Sequence, residues 1–182
     1  MRWLKKKWVG STKAVPMSLD LEEDIKPDWN LARAKAEELT ADYSSPPIPV
    51  LEIAERLGLS VGISTFGQYS KDVSGFIDFS ENRIHVNHLN SFPRKLFTIA
   101  HEIGHWVLHR ELYERYPSKY QVLARQTGIK LDKYEKEANS FAASLLVPEH
   151  LLKPVRSHGA ATLASIFCVS REMMEYRLKN VR

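Results

Sequence analysis

Residues 96–109 read LFTIAHEIGHWVLH, with His101 and His105 four apart and Glu102 between them. On a helix that spacing sets both imidazoles one turn apart on the same face. Leu96, Ile99, Ala100, Ile103 and Val107 give the same helix an apolar stripe, so it has to be packed against a core. Two histidines begin a metal site but do not complete one. A second element must therefore cross the motif helix and bring another ligand, which few arrangements of a short chain allow.

His109 continues the series at i+8, but eight residues span about 12 Å of helix, too far to share one ion with His101. The H-E-x-x-H-x-x-G-x-x-H alternative fails as well, because Leu108 stands in place of the glycine and Glu111 in place of the third histidine. His109 is read instead as a helix-end residue or as a support behind one of the ligands. The stretch DKYEKEANSFAASLLVP, 132–148, offers a carboxylate. Glu135, Ala138, Asn139, Ala142 and Leu146 share one face, and an acid on a buried face is costly unless it is paired, as a metal ion would pair it. Asn139, one turn beyond Glu135, is placed to hydrogen-bond a ligand histidine. Glu137, turned by about 200° from Glu135, is expected to face elsewhere. The plainer alternative gives Glu135 a surface ion pair and Asn139 a packing or capping role. Two histidines and a glutamate with an open fourth position form the catalytic zinc pattern, so Zn2+ is the expected metal. Glu102, beside the ligand line, is positioned as the acid/base.

The rest of the chain alternates between the two classes of element. LARAKAEELTADY, with Asn30 as a plausible cap, and VLEIAERLG, closed by Gly58, predict helices, separated by the breaker SSPPIP. LSVGIST predicts a strand, and VSGFIDFSENRIHVN a β-hairpin with Ser80, Glu81 and Asn82 at its turn. Arg83–Asn87 is considered as an exposed edge that could pair with an extended peptide, with an ordinary hairpin strand as the alternative. The motif helix should start near Ser91, with Pro93 in its first turn, and run to about residue 112. Residues 113–133 are mixed, and ATLASIFCVSREMMEYRLKN predicts two short helices about a tight turn. There Val169, Met173 and Tyr176 are expected to pack inward and Cys168 to be a small buried hydrophobe.

Charge and cysteine content narrow the classes of function. Of a net charge of +4 in 182 residues, residues 1–19 contribute Arg2, Lys5, Lys6, Lys7, Lys13 and no acid, so the remainder is close to neutral. A broad nucleic-acid-binding face is not indicated, and the outward residues Arg171, Glu172, Glu175 and Lys179 of the last helix balance one another. No apolar run approaches the roughly 20 residues of a membrane span. The basic start lacks the apolar stretch of a secretory leader. With one cysteine, the chain is expected to be cytoplasmic.

RKLFTIAHEIGHWVLH followed by EKEANSFAASLLVP, with IPVLEIAERLGLSV and RIHVN upstream, resembles the ImmA/IrrE family of zinc metallopeptidases over about residues 30–182. The resemblance implies His101, His105 and Glu135 as zinc ligands and Glu102 as the catalytic acid/base. It implies an α+β, gluzincin-like core in which a small sheet or hairpin packs on the motif helix and the glutamate helix, followed by helix-turn-helix-like C-terminal helices. The expected organisation is a basic arm over 1–27, a metallopeptidase core over 28–150 and a C-terminal subdomain over 151–182. It further implies cleavage of a helix-turn-helix repressor, releasing stress or mobile-element genes from repression. Where such turns usually carry glycine, this chain has Cys168.

The expected chemistry is metal-assisted peptide hydrolysis, with Glu102 taking a proton from the attacking water and returning it to the leaving amine. The oxyanion donor is left open among His109, Tyr113, Tyr120 and His88. The rival reading is a zinc-containing binding module that sequesters a repressor or contacts DNA without cleaving anything.

Overall fold

A computed structural model describes residues 26–115 and 132–181. Most of the basic arm, and Tyr120 with most of the mixed segment around it, lie outside the described residues.

The chain enters through helix α1 (Trp29–Thr40), whose cap is Asp28 rather than Asn30: the Asp28 side chain accepts from the Leu31 backbone N–H. An aspartate outside the first turn satisfies a helix amide and complements the helix dipole. After the breaker, which contains a cis Pro46–Pro47 bond, comes α2 (Val50–Arg56). It ends in a double hydrogen bond, Gly58 N–H to Glu55 C=O and Leu59 N–H to Ala54 C=O, with Gly58 at φ 77°. That closure needs a left-handed residue, and glycine meets the need without a Cβ clash.

Three strands follow: β1 (Ser60–Ser64), β2 (Gly75–Asp78) and β3 (Arg83–Asn87). The sheet order is β1-β3-β2, with β1 parallel and β2 antiparallel to β3. The hairpin turn forms as the sequence predicts, with Asn82 at φ 51°, a conformation asparagine tolerates. The expectation that Arg83–Asn87 is an edge is overturned. Among the described residues β3 is the central strand, paired parallel with β1 on one side and antiparallel with β2 on the other, so β1 and β2 are the edges.

Helix α3 (Phe92–Arg115) then runs longer than the sequence suggests and carries the motif. It packs most extensively against α4 (Asp132–Leu146), which is also covered by α1. The core includes Ala32 and Ala36 of α1, Ile53 of α2, Ile84 and Val86 of β3, Ile99 and Ile103 of α3, and Phe141, Leu145 and Leu146 of α4. The chain closes through α5 (Glu149–Leu152), α6 (Ala160–Ile166) and α7 (Arg171–Asn180). Together these elements form an α+β fold with a small mixed sheet, and no helix among the described residues is long and apolar enough to cross a membrane.

The last two helices correct two details of the sequence reading. Met173 packs partly against the core as expected, beside the fully buried Met174, whereas Tyr176 is exposed. The buried positions of α7 are Met174 and Arg177, and Arg177 donates to the Val147 C=O through Nε at 3.1 Å and Nη2 at 2.8 Å. Its guanidinium thus satisfies a carbonyl just past the end of α4, which a purely apolar inward face could not do. Cys168 is partly exposed rather than buried. It closes α6 at φ 54° with Val169 N–H bonded to Ala164 C=O, the same motif that Gly58 makes after α2.

Candidate metal centre

Helix α3 presents His101 and His105 toward α4. Their Nε2 atoms lie 3.0 Å apart, with the rings edge to face. Glu135, on the first turn of α4, brings Oε2 to 3.3 Å from His101 Nε2 and Oε1 to 3.2 Å from His105 Nε2. One ligand atom from each of the three lies within 4.8 Å of the others, a group that could hold a metal ion.

That approach depends on two small residues. Gly104, between the histidines, lies under α4, where an added Cβ would meet Phe141 Cδ1 at 3.1 Å and Ala138 Cα at 3.2 Å. A glycine facing an alanine lets the two helices come close enough for a glutamate to span the gap.

Hydrogen-bond polarity tests whether these residues suit a metal. Asn139 Oδ1 lies 3.0 Å from His101 Nδ1. An amide oxygen only accepts, so His101 carries its proton on Nδ1 and turns the lone pair of Nε2 toward Glu135 and His105. A lone pair, a second ring nitrogen and a carboxylate at these spacings need a positive charge among them. A proton supplies it in the metal-free protein. Two imidazole nitrogens and a carboxylate oxygen are also a zinc donor set. The protonation tendencies agree. Burial alone would lower His101, but the hydrogen bond with Glu135 raises it, whereas burial dominates at His105 and lowers it. Burial would raise Glu135, yet its close approach to His101 and His105 holds its carboxyl well below the usual range.

Glu102 lies on the buried side of α3. Burial pushes its carboxyl up to about 7; His101 and the Ile77 backbone amide of β2 work against the rise, and Glu135 adds to it. A carboxyl poised there, close to His101 and Glu135, can hold or release a proton near neutral pH.

One expectation about α4 is corrected and another holds. Glu135 is not on a buried face: its side chain is 50% exposed. Glu137 does face elsewhere than the cluster, as expected, but into the protein: it is 7% exposed, with Oε2 3.0 Å from His109 Nε2 and Oε1 accepting from the Asp28 backbone N–H at 2.7 Å. Both placements have one cause. Clamped between α1 and α3, α4 buries a broad arc centred near Ala138, Phe141 and Leu145, so Glu135 falls on one rim and Glu137 on the other. The signal was present in the chain, because Phe141 and Leu145 lie four and eight residues beyond Glu137.

His109 lies behind His105, Nδ1 to Nδ1 at 3.0 Å, and not at the centre of the cluster. Of the other oxyanion candidates, Tyr113 stacks on Phe79 and His88 is exposed just past β3. Beside the cluster, a cleft of about 740 Å³ opens between the start of α1, α3, α4 and α7, lined by residues that include Trp29, Phe97, Asn139, Ala143, Met173 and Tyr176.

Comparison with known proteins bears on this arrangement. Metallopeptidase ImmA of Bacillus subtilis (strain 168) is 28% identical over 102 residues, 54% of this chain and 56% of that protein. An uncharacterized immunity region protein 2 of Bacillus phage phi105 is 28% identical over 89 residues, 47% of this chain and 52% of its own length. The aligned part of this chain thus spans about half the length of these relatives. A solved Mycobacterium tuberculosis transcriptional regulator shares the fold, with a TM-score of 0.59 at 17% identity over 81% of this chain and 46% of that one. Residues 54–179, well over half of the chain and including the whole histidine–glutamate cluster, match the IrrE N-terminal-like domain, a peptidase family. On that match the chain belongs to the ImmA/IrrE family.

Proposed function

We propose that this chain is a zinc-dependent endopeptidase that cleaves a regulatory protein, a helix-turn-helix repressor, in the cytoplasm. The observation that carries the reading is the convergence of His101, His105 and Glu135 beside a buried carboxyl, Glu102, poised near neutrality. His101, His105 and Glu135 would hold the ion and leave a coordination position open. When bound, zinc supplies Lewis acidity, which brings the pKa of a coordinated water to about 7 and polarises a carbonyl.

The chain's own residues carry the remaining steps. Glu102 accepts the proton of the attacking water and delivers it to the departing amine nitrogen, so that one carboxyl serves as base and then as acid. Asn139 holds His101 by its Nδ1–H, keeping Nε2 turned toward the cluster. The cleft between α3 and α7, with Phe97 beside His101, offers space for an apolar side chain of the substrate.

The core is read as gluzincin-like and the last two helices as helix-turn-helix-like, a reading supported by the left-handed turn at Cys168 between α6 and α7. On α7 Arg171 pairs with Glu175 at 2.8 Å and is not left as a bare cation for phosphate, which supports docking or packing over DNA contact. The names of the relatives, one a metallopeptidase and one from a phage immunity region, support a regulatory substrate.

The test is co-expression with the repressor encoded nearest the gene, comparing wild type with Glu102→Gln. Repressor fragments are expected with wild type, and at least about 100-fold less cleavage with the variant at unchanged zinc content. Metal-dependent co-purification without fragments from either version would instead mark a binding module.

A further inference from the structure

Two buried polar residues, His109 and Glu137, take no part in the proposed chemistry. They lie in one line with a metal ligand. His105 Nδ1 is 3.0 Å from His109 Nδ1, His109 Nε2 is 3.0 Å from Glu137 Oε2, and Glu137 Oε1 accepts the Asp28 backbone N–H at 2.7 Å. Tyr134 closes over the His109 ring at 4.9 Å, edge to face.

The far end of this line sets its direction. A backbone N–H can only donate, and an ionised carboxylate can only accept. Glu137 therefore accepts from both sides, and His109 must donate from Nε2. With one proton per ring, His109 Nδ1 is then a lone pair, so His105 must donate from Nδ1. That leaves His105 Nε2 as a lone pair facing Glu135 and His101, the tautomer a ligand needs.

We propose that His109 and Glu137 are positioning residues that fix the tautomer and ring orientation of His105, anchored by the backbone amide of Asp28. The inference rests on the reading of His101, His105 and Glu135 as a metal site. It assigns to the two ligand histidines different supports. His101 is held directly by the Asn139 amide, whereas His105 is held by a carboxylate acting through an intervening imidazole. The ring transmits direction while keeping the Glu137 charge one side chain removed from the ion. The amide at the far end belongs to the residue whose side chain also caps α1, so the first described helix and the metal ligand share one anchor.

The test measures zinc affinity of the purified full chain by competition with a chromophoric chelator, together with the visible absorption spectrum of the Co2+-loaded protein and the melting of the metal-free form. His109→Phe keeps a ring in the cavity but offers no acceptor and no donor. It is expected to weaken zinc binding about 10- to 100-fold, the usual effect of losing a ligand's outer partner, and to change the Co2+ spectrum. His109→Gln, which offers an amide oxygen toward His105 and an amide N–H toward Glu137, is expected to recover most of that loss. Glu137→Gln can accept from only one of its two donors through its single carbonyl oxygen, and is expected to cost about 10-fold.

A role in packing predicts the reverse order, with Phe tolerated and Gln harmful. Wild-type affinity and spectrum in His109→Phe, or equal losses with Phe and Gln, would overturn the proposal. If His109→Phe fails to fold, wild-type affinity in Glu137→Gln would overturn it. A wild-type protein that takes up no zinc would sink the metal reading itself, and the positioning role with it.

Discussion

Cys168 shows how one residue type can be at odds with its backbone. At φ 54° it occupies a conformation that costs an L-residue roughly 1–2 kcal/mol, and the hydrogen bond from Val169 N–H to Ala164 C=O holds it there. Gly58 does the same work after α2 without that strain. Cys168→Gly is therefore expected to stabilise the chain, by about 0.5–1 kcal/mol once the greater freedom of glycine in the unfolded state is subtracted. Chemical denaturation of the two proteins side by side checks this, and a lower midpoint for the variant would show that the sulfur, near Ser165 C=O at 3.8 Å, contributes more than the strain removes. At the same scale, Glu102 shows that a carboxyl's proton affinity is set by its surroundings, since burial on α3 is the largest influence on it.

Between elements, the contact that matters most is α3 on α4. The motif histidines lie on one helix and Glu135 on the other, so the spacing of the helix axes sets whether three ligand atoms can meet. Gly104 against Ala138 and Phe141 sets that spacing, with no room for a larger side chain. Gly104→Val is expected to push α4 outward, lowering stability by about 1–3 kcal/mol and removing stoichiometric zinc. Thermal melts and metal analysis of the purified variant test both consequences. A variant that melts lower but keeps full zinc would show that Glu135, half-exposed at the rim, can follow the helix as it moves.

For the whole molecule, the site joins segments distant in the chain: Asp28 before α1, the Ile77 amide on β2, the histidines of α3 and the two glutamates of α4. An ion bound there would tie the core together. Chelation is then expected to lower the melting temperature, and zinc at about 100 times its Kd to restore about 2.7 kcal/mol of stability. His101→Ala should melt at one temperature with or without zinc. A zinc-dependent rise that persists in His101→Ala would place the ion elsewhere in the protein.

The sequence by itself determined the local order of the site. H-E-x-x-H on an amphipathic helix obliges two imidazoles to share a face, and helical periodicity sets Asn139 one turn from Glu135, because both follow from geometry within a single element. Gly58, the Asn82 turn and the helix stop at Pro148 were legible for the same reason, each being a local backbone requirement met by a residue type. Tertiary structure alone decided what depends on how elements meet. It made β3 central by laying β1 beside it, and it widened the buried arc of α4 by packing α1 against its second side. That second packing surface moved Glu135 to the solvent rim and drew Glu137 inward to His109 and Asp28. Periodicity along a helix records which residues are neighbours on its surface, but the number of partners that cover that surface is a property of the assembled fold.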